Sequence, residues 1–351
     1  MENNIENTNP EVLAPQPEII ETKPKTKKAP IIFAVIVLLI IVSAAVYIFL
    51  NYTWLNDYFT GLSYEPTAEM AEIKSNLELT KDADIIFKAS FPILEPEDDF
   101  NQDCDSHNSD ISVLGCYANN QIYIYNIKSE EVPGILESTT AHELLHAVWS
   151  RLSGTEKARL IPLLESSYQD NKEMLEENLQ NYNDENRLDE LYVRIGTQAK
   201  NLSNELETHY ARYFNSRNKI VEFYESYIAP FNELKEKINS LGRELEEAKQ
   251  VIDSETAQYE ARVEEFNSNV YSFNNCARTV NCFTESRFYA RRAELVAEEN
   301  NLNTMFENLN NKINEYNVKV EEYNSNIVKS NSLQRIINSN APPTEATSDN
   351  E

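Results

Sequence analysis

The sequence predicts an α+β, mainly helical protein: a single transmembrane helix, a domain built on a small sheet, and a long antiparallel coiled-coil hairpin. Three observations predict it. Residues 31–50 form an uncharged, almost wholly apolar run. A few short strand-like runs lead into one H-E-x-x-H stretch, and nearly everything after it has helical spacing. From Leu234 onward apolar residues alternate four and three apart, the heptad signature. The 351 residues suffice for one sizeable core with accessory segments. Acidic residues number 58 against 31 basic, a net charge of −27. Such a surface repels phosphate backbones, so no nucleic-acid partner is expected.

Residues 1–30 are polar and punctuated by Pro10, Pro15, Pro17 and Pro24, which reads as a disordered cytoplasmic tail. It ends in Lys23, Lys25, Lys27 and Lys28. Residues 31–50 then have the length of a membrane span, followed by Trp54 and Tyr58 at interface positions. A cleaved signal peptide is the rival, but the apolar run is long and a polar leader precedes it. With the lysines before the span, the positive-inside rule places the amino terminus in the cytoplasm and the rest outside: a single-pass cell-membrane protein with an extracytoplasmic domain. The four cysteines agree. They form two close pairs, Cys104 with Cys116 and Cys276 with Cys282, as expected of disulfides in an oxidising compartment.

Residues 51–230 read as the main domain. A short helix is expected over 66–82, where Met70, Ile73 and Leu77 share a face. Strand-like runs follow at Ile85–Pro92, at Ile111–Tyr117 and at Gln121–Tyr125, the last after an Asn119-Asn120 turn. The polar stretch 95–110 reads as a loop that Cys104–Cys116 clamps, with His107 exposed in it. Ser153-Gly154-Thr155 ends the motif helix and caps the next. After a polar stretch from Gln180 to Arg187, helical spacing returns over Leu188–Thr197, and again from Ser203 to Pro230. Residues 231–335 carry two heptad runs around the tip Asn274–Cys282, an antiparallel hairpin that can also receive a coiled-coil partner. Val263–Val270 recurs nearly intact as Val320–Ile327, a reuse of one heptad solution. Residues 336–351, with Pro342 and Pro343, read as a disordered tail.

The reactive stretch is His142-Glu143-Leu144-Leu145-His146. On a helix the two histidines stand one turn apart on one face, and two neutral imidazoles at that spacing bind one Zn2+. Glu143 then lies beside a zinc-bound water as general base. A catalytic zinc takes a third protein ligand. Trp149 and Leu152 stand where a metzincin has glycine and histidine, which excludes that class. Gly196-Thr197 begins the G-T-x-x-D of aspzincins, but Lys200 occupies the aspartate position. A downstream glutamate remains: Glu190 first, with Glu207 and His209 in reserve. Tyr192, His209 and Tyr210 are candidates for stabilising the oxyanion.

The order of a few strands and then the motif helix resembles the zinc peptidases called zincins, and Asp189-Glu190-Leu191-Tyr192-Val193 resembles the ligand block of gluzincins. Residues 66–215 further resemble a family of bacterial membrane-anchored or secreted proteins with a zinc-metallopeptidase domain. The resemblance rests on Phe100-Asn101 with Cys104, Leu114–Tyr117, Ile122–Ile124, Glu137–Ala147 and Glu207–Phe214. In that family the block at 189–198 reads N-E-L-H-S-x-x-G-T-E. Here Glu190 is kept, Tyr192 replaces the histidine and Gln198 the final glutamate. The resemblance implies a gluzincin-like metallopeptidase at the bacterial cell surface acting on a protein or peptide substrate. The alternative is a surface interaction or adhesion protein whose coiled coil does the work and whose zincin domain is an inactive scaffold.

Overall fold

The computed structural model describes residues 28–104, 113–179 and 184–340. The chain divides into two units near residue 55. The first holds α1 (Lys28–Leu50), of which Ile32–Leu50 is long and apolar enough to cross a membrane, with its described side chains exposed. Such a helix serves as an anchor or as a signal sequence. The expected tail at 1–30 lies, up to residue 27, outside the described residues, as do His107 and residues 341–351.

The second unit follows α2 (Tyr52–Gly61) across the boundary and continues with α3 (Ala68–Asn76) and α4 (Lys81–Ala89). The helix expected over 66–82 therefore stops at residue 76. The strand expected from Ile85 is a helix instead. Thr80 caps it by accepting from the Ala83 amide, and Asp82, Asp84 and Lys88 suit the helix dipole at either end. Ala83 and Phe87, one turn apart, are buried. A three-residue apolar run has no period of its own, so the caps decided.

Three strands make the sheet: β1 (Ile93–Glu95), β2 (Gly115–Ala118) and β3 (Gln121–Tyr125), in the order β1-β3-β2. β2 and β3 form an antiparallel hairpin through Asn119 and Asn120, whose φ of 53° and 63° suit the tight turn. β1 pairs parallel to β3, and sequence reasoning missed it. Between β1 and β2 lies α5 (Glu97–Asp103), in a stretch expected to be loop. Phe100 is its one buried anchor, and the Cys104–Cys116 disulfide ties its end to β2.

The core surrounds α6 (Ile135–Arg151), which is buried on nearly every side: Ala141, Leu144, Leu145, Ala147 and Val148 are within 1 % of full burial. The sheet covers one flank and α9 another. After α6 come α7 (Gly154–Asp170), opened by a Ser153–Glu156 capping box, α8 (Lys172–Leu179), α9 (Asp184–Gln198) and α10 (Asn204–Tyr210). The helix expected from Ser203 to Pro230 is broken at 211–216. There the backbone pairs with 78–80 instead: the Thr80 amide donates to the Tyr213 carbonyl and the Asn215 amide to Glu78.

Helix α11 (Arg217–Arg278) then runs through Pro230 without stopping and packs antiparallel to α12 (Glu285–Ile336). Leu234, Leu241, Leu302, Leu309 and Leu333 are buried along the seam. Ion pairs link Lys237 to Glu322 and Lys319 to Glu244 across it. The Cys276–Cys282 disulfide closes the turn. At the hairpin's base, Leu234 and Leu333 pack with Ile127, Val132 and Ile135 beside the start of α6. Residues 336–340, expected in the tail, pack here too: Ser339 is fully buried and its carbonyl accepts from Asn101.

Candidate metal centre

Helices α6 and α9 build the site between them. Gly196 allows their close approach. A Cβ there would lie 2.5 Å from Leu145 Cδ1 and 2.6 Å from Tyr210 Cε1. The Trp149 and Tyr192 rings, 4.9 Å apart, fix the register. That register sets Glu190 of α9 opposite His142 and His146 of α6.

The three side chains converge. Glu190 Oε1 lies 3.7 Å from His142 Nε2, and Glu190 Oε2 lies 3.4 Å from His146 Nε2. One ligand atom from each falls within 4.8 Å of the others, the one such group among the described residues. Ligands about 2.1 Å from a tetrahedral ion stand roughly 3.4 Å from each other, so these spacings fit a cation. Glu190 Oε1 is buried and accepts no hydrogen bond. Arg194, one turn on, places Nε 2.5 Å from it in an ion pair not aligned for hydrogen bonding. His146 Nδ1 is 2.8 Å from Asp189 Oδ1. A proton donated there leaves the Nε2 lone pair facing Glu190, the tautomer a metal ligand requires.

The charges fit a cation as well. Burial pushes His142 down to about 3. Burial also opposes a charge on His146, but the Asp189 and Glu190 carboxylates outweigh it and raise His146 to about 10. Burial would raise Glu190, yet His142, His146 and Arg194 hold it below the usual carboxylate range. The pocket thus keeps His142 neutral and Glu190 ionised, the states in which both can ligate a metal. Glu143, 5 % exposed, is raised to about 7 by burial above all. The two histidine side chains keep 18–19 % of their surface exposed, which leaves the group open on one side.

Gly115 brings β2 against Glu143. A Cβ there would lie 2.8 Å from Glu143 Cγ and 2.8 Å from Thr139 Cγ2. β2 is an edge strand of the sheet among the described residues, and Gly115 sets it beside Glu143.

The other expected site residues are engaged elsewhere. Arg217 holds Glu207 in a two-pronged ion pair and donates to the Ala199 and Lys200 carbonyls, closing the end of α9. Tyr192 is fully buried and its hydroxyl meets His209 Nε2 at 3.0 Å. Tyr210 donates to the Tyr192 carbonyl at 2.7 Å. Tyr192, His209 and Tyr210 therefore form a buried knot joining α9 to α10. Both expected disulfides, Cys104–Cys116 and Cys276–Cys282, are present. Sequence reasoning missed Asp189, Arg194 and Gly115 as site residues. Arg194 was legible in principle, since Glu and Arg four apart on a helix are neighbours. No family model matches the chain, and neither a curated protein nor a solved structure matches it.

Proposed function

We propose that the chain is a membrane-anchored, extracytoplasmic zinc metallopeptidase of zincin type. The observation that carries this reading is the convergence of His142, His146 and Glu190 beside a buried Glu143. Two imidazoles and one carboxylate, with one side open, make a donor set that suits catalytic zinc. A zinc ion held there would polarise a scissile carbonyl and acidify a water molecule. The chain's own groups supply the rest. Glu143 takes the proton of the attacking water and delivers it to the departing amine as the C–N bond breaks. Asp189 keeps His146 in its ligand tautomer. The β2 edge beside Glu143 can pair with an extended peptide, which favours a peptide substrate over a small molecule. Lysines 23, 25, 27 and 28 before α1, together with the two disulfides, support the outward orientation.

The test measures zinc per full-length chain and cleavage of a peptide library by wild type and Glu143→Gln. Stoichiometric zinc in both, with cleavage falling about 10²- to 10⁴-fold in the variant, is expected. No zinc, or cleavage indifferent to the substitution, would sink the reading. The second reading, a surface interaction protein on a zincin scaffold, draws support from the 62- and 52-residue helices of the hairpin. It predicts partner binding that Glu143→Gln leaves untouched.

A further inference from the structure

The far end of the α11–α12 hairpin differs in charge from the shaft below it. Between residues 266 and 293 four arginines, Arg278, Arg287, Arg291 and Arg292, stand with one acidic residue, Glu285. The shaft segments 231–265 and 294–335 hold nine basic residues against seventeen acidic. A chain of net charge −27 thus ends its longest element in a basic tip. In the shaft, Lys237, Arg262, Lys312 and Lys319 are tied up in ion pairs between the helices. At the tip Arg291 is held by Glu294 and Asn269. Arg278, Arg287 and Arg292 are exposed, and their side chains make no ion pair or hydrogen bond among the described residues.

Apolar side chains stand out beside these guanidiniums. Val280 is 87 % exposed, Tyr271 70 % and Tyr289 59 %. The exposure is held in place from below: Phe273 stacks on Phe283 and Phe288 at 5.4 and 5.2 Å, under the disulfide-closed turn. Phe273, Phe283, Arg287 and Arg291 also line a groove of about 390 Å³. Along α11 the tip lies about 60 Å from the docked base at Leu234, at about 1.5 Å per residue.

We propose that this tip docks on a bilayer surface that contains anionic lipid. Guanidiniums pair with headgroup phosphates, tyrosines settle at the headgroup boundary, and Val280 enters the apolar layer beyond it. An acidic peptide or another polyanion would satisfy the arginines but leave Val280, Tyr271 and Tyr289 in water. The acidic shaft also sets a limit, since it is repelled by the same surface and keeps the contact to the tip. The inference is independent of the peptidase reading.

The experiment places the full-length chain in nanodiscs of phosphatidylcholine. Vesicles of phosphatidylcholine, alone or with a minor fraction of phosphatidylserine, are then added, and a parallel sample carries phosphatidylserine in the nanodisc itself. Flotation reports vesicle capture. Trypsin cutting after Arg278, Arg287 and Arg292, relative to Arg243 in the shaft, reports tip protection. Phosphatidylserine in either bilayer should slow the tip cuts, and added salt should restore them. Replacing all three arginines by glutamine should weaken vesicle capture on the order of a hundredfold. Val280→Asp, which keeps the cutting sites, should abolish protection. Helix content by circular dichroism should match wild type in both variants. Tip cuts unaffected by phosphatidylserine in both arrangements would overturn the proposal. So would capture undiminished in the triple variant. Binding of a polyglutamate peptide without binding of phosphatidylserine vesicles would also overturn it, in favour of an acidic protein partner.

Discussion

Asp189 acts from behind the ligands. It is not one of the three converging ligands, yet its 2.8 Å contact with His146 Nδ1 favours the tautomer that carries the proton there. Asp189→Ala should weaken metal affinity about 10- to 100-fold in competition with a chelating dye, with helix content unchanged. Affinity equal to wild type would mean that His146 is oriented by something else. His142, Glu143 and His146 were legible in the sequence because their chemistry is carried by spacing on one helix. Glu190 was legible only as one choice among three. Its rivals are engaged by tertiary contacts, Arg217 on Glu207 and Tyr192 on His209, that no local pattern encodes.

At the scale of the element, the site exists because α9 can approach α6. Alanine in place of Gly196 improves helix propensity by about 1 kcal/mol. The added methyl, however, would meet two buried side chains at 2.5 and 2.6 Å, and overpacking of that kind costs typically 1–3 kcal/mol. Gly196→Ala should therefore lower the melting temperature and the metal affinity together. Gly154→Ala serves as the control, since nothing lies within 4 Å of its Cβ position. A Gly196→Ala protein that melts no lower would show that the helices are not held at closest approach. Elements were legible where a period ran long enough, as in the heptads of α11 and α12. They failed where it did not. β1 has three residues between two prolines, and α5 has a single buried anchor. Pro230 failed in the opposite sense: the packing of α11 on both sides of it outweighs the one amide it lacks.

For the whole molecule, two buried groups bound the pH range of stability from opposite sides. Burial lowers His209 from 6.5 to about 4, so its contribution is complete above 6.5 and is lost as pH falls through 4. Burial, followed by the Asp103 carboxylate, raises Glu95 from 4.5 to about 7. Its contribution is complete below 4.5 and is lost as pH rises through 7. The two windows overlap from 4.5 to 6.5, where the opposing slopes offset each other, so denaturant midpoints should stay nearly level there. His209→Gln should unmask a fall in midpoint as pH rises toward 7, and Glu95→Gln a fall as pH drops toward 4. A profile unchanged by both would assign the pH dependence to the many surface carboxylates.

The Cys104–Cys116 bond pins the strand that carries Gly115, and Gly115 touches Glu143. Closing a loop of this size is worth about 3 kcal/mol. Before that bond forms, this wall of the cleft rests on the four residue pairs of β2 with β3 and on its packing against α6, where Arg151 donates to the Tyr117 hydroxyl. On the peptidase reading, oxidation then works as a safety catch. A chain still in a reducing compartment would present its reactive residues beside a less constrained wall, and the cleft would gain its full constraint only where thiols are no longer kept free.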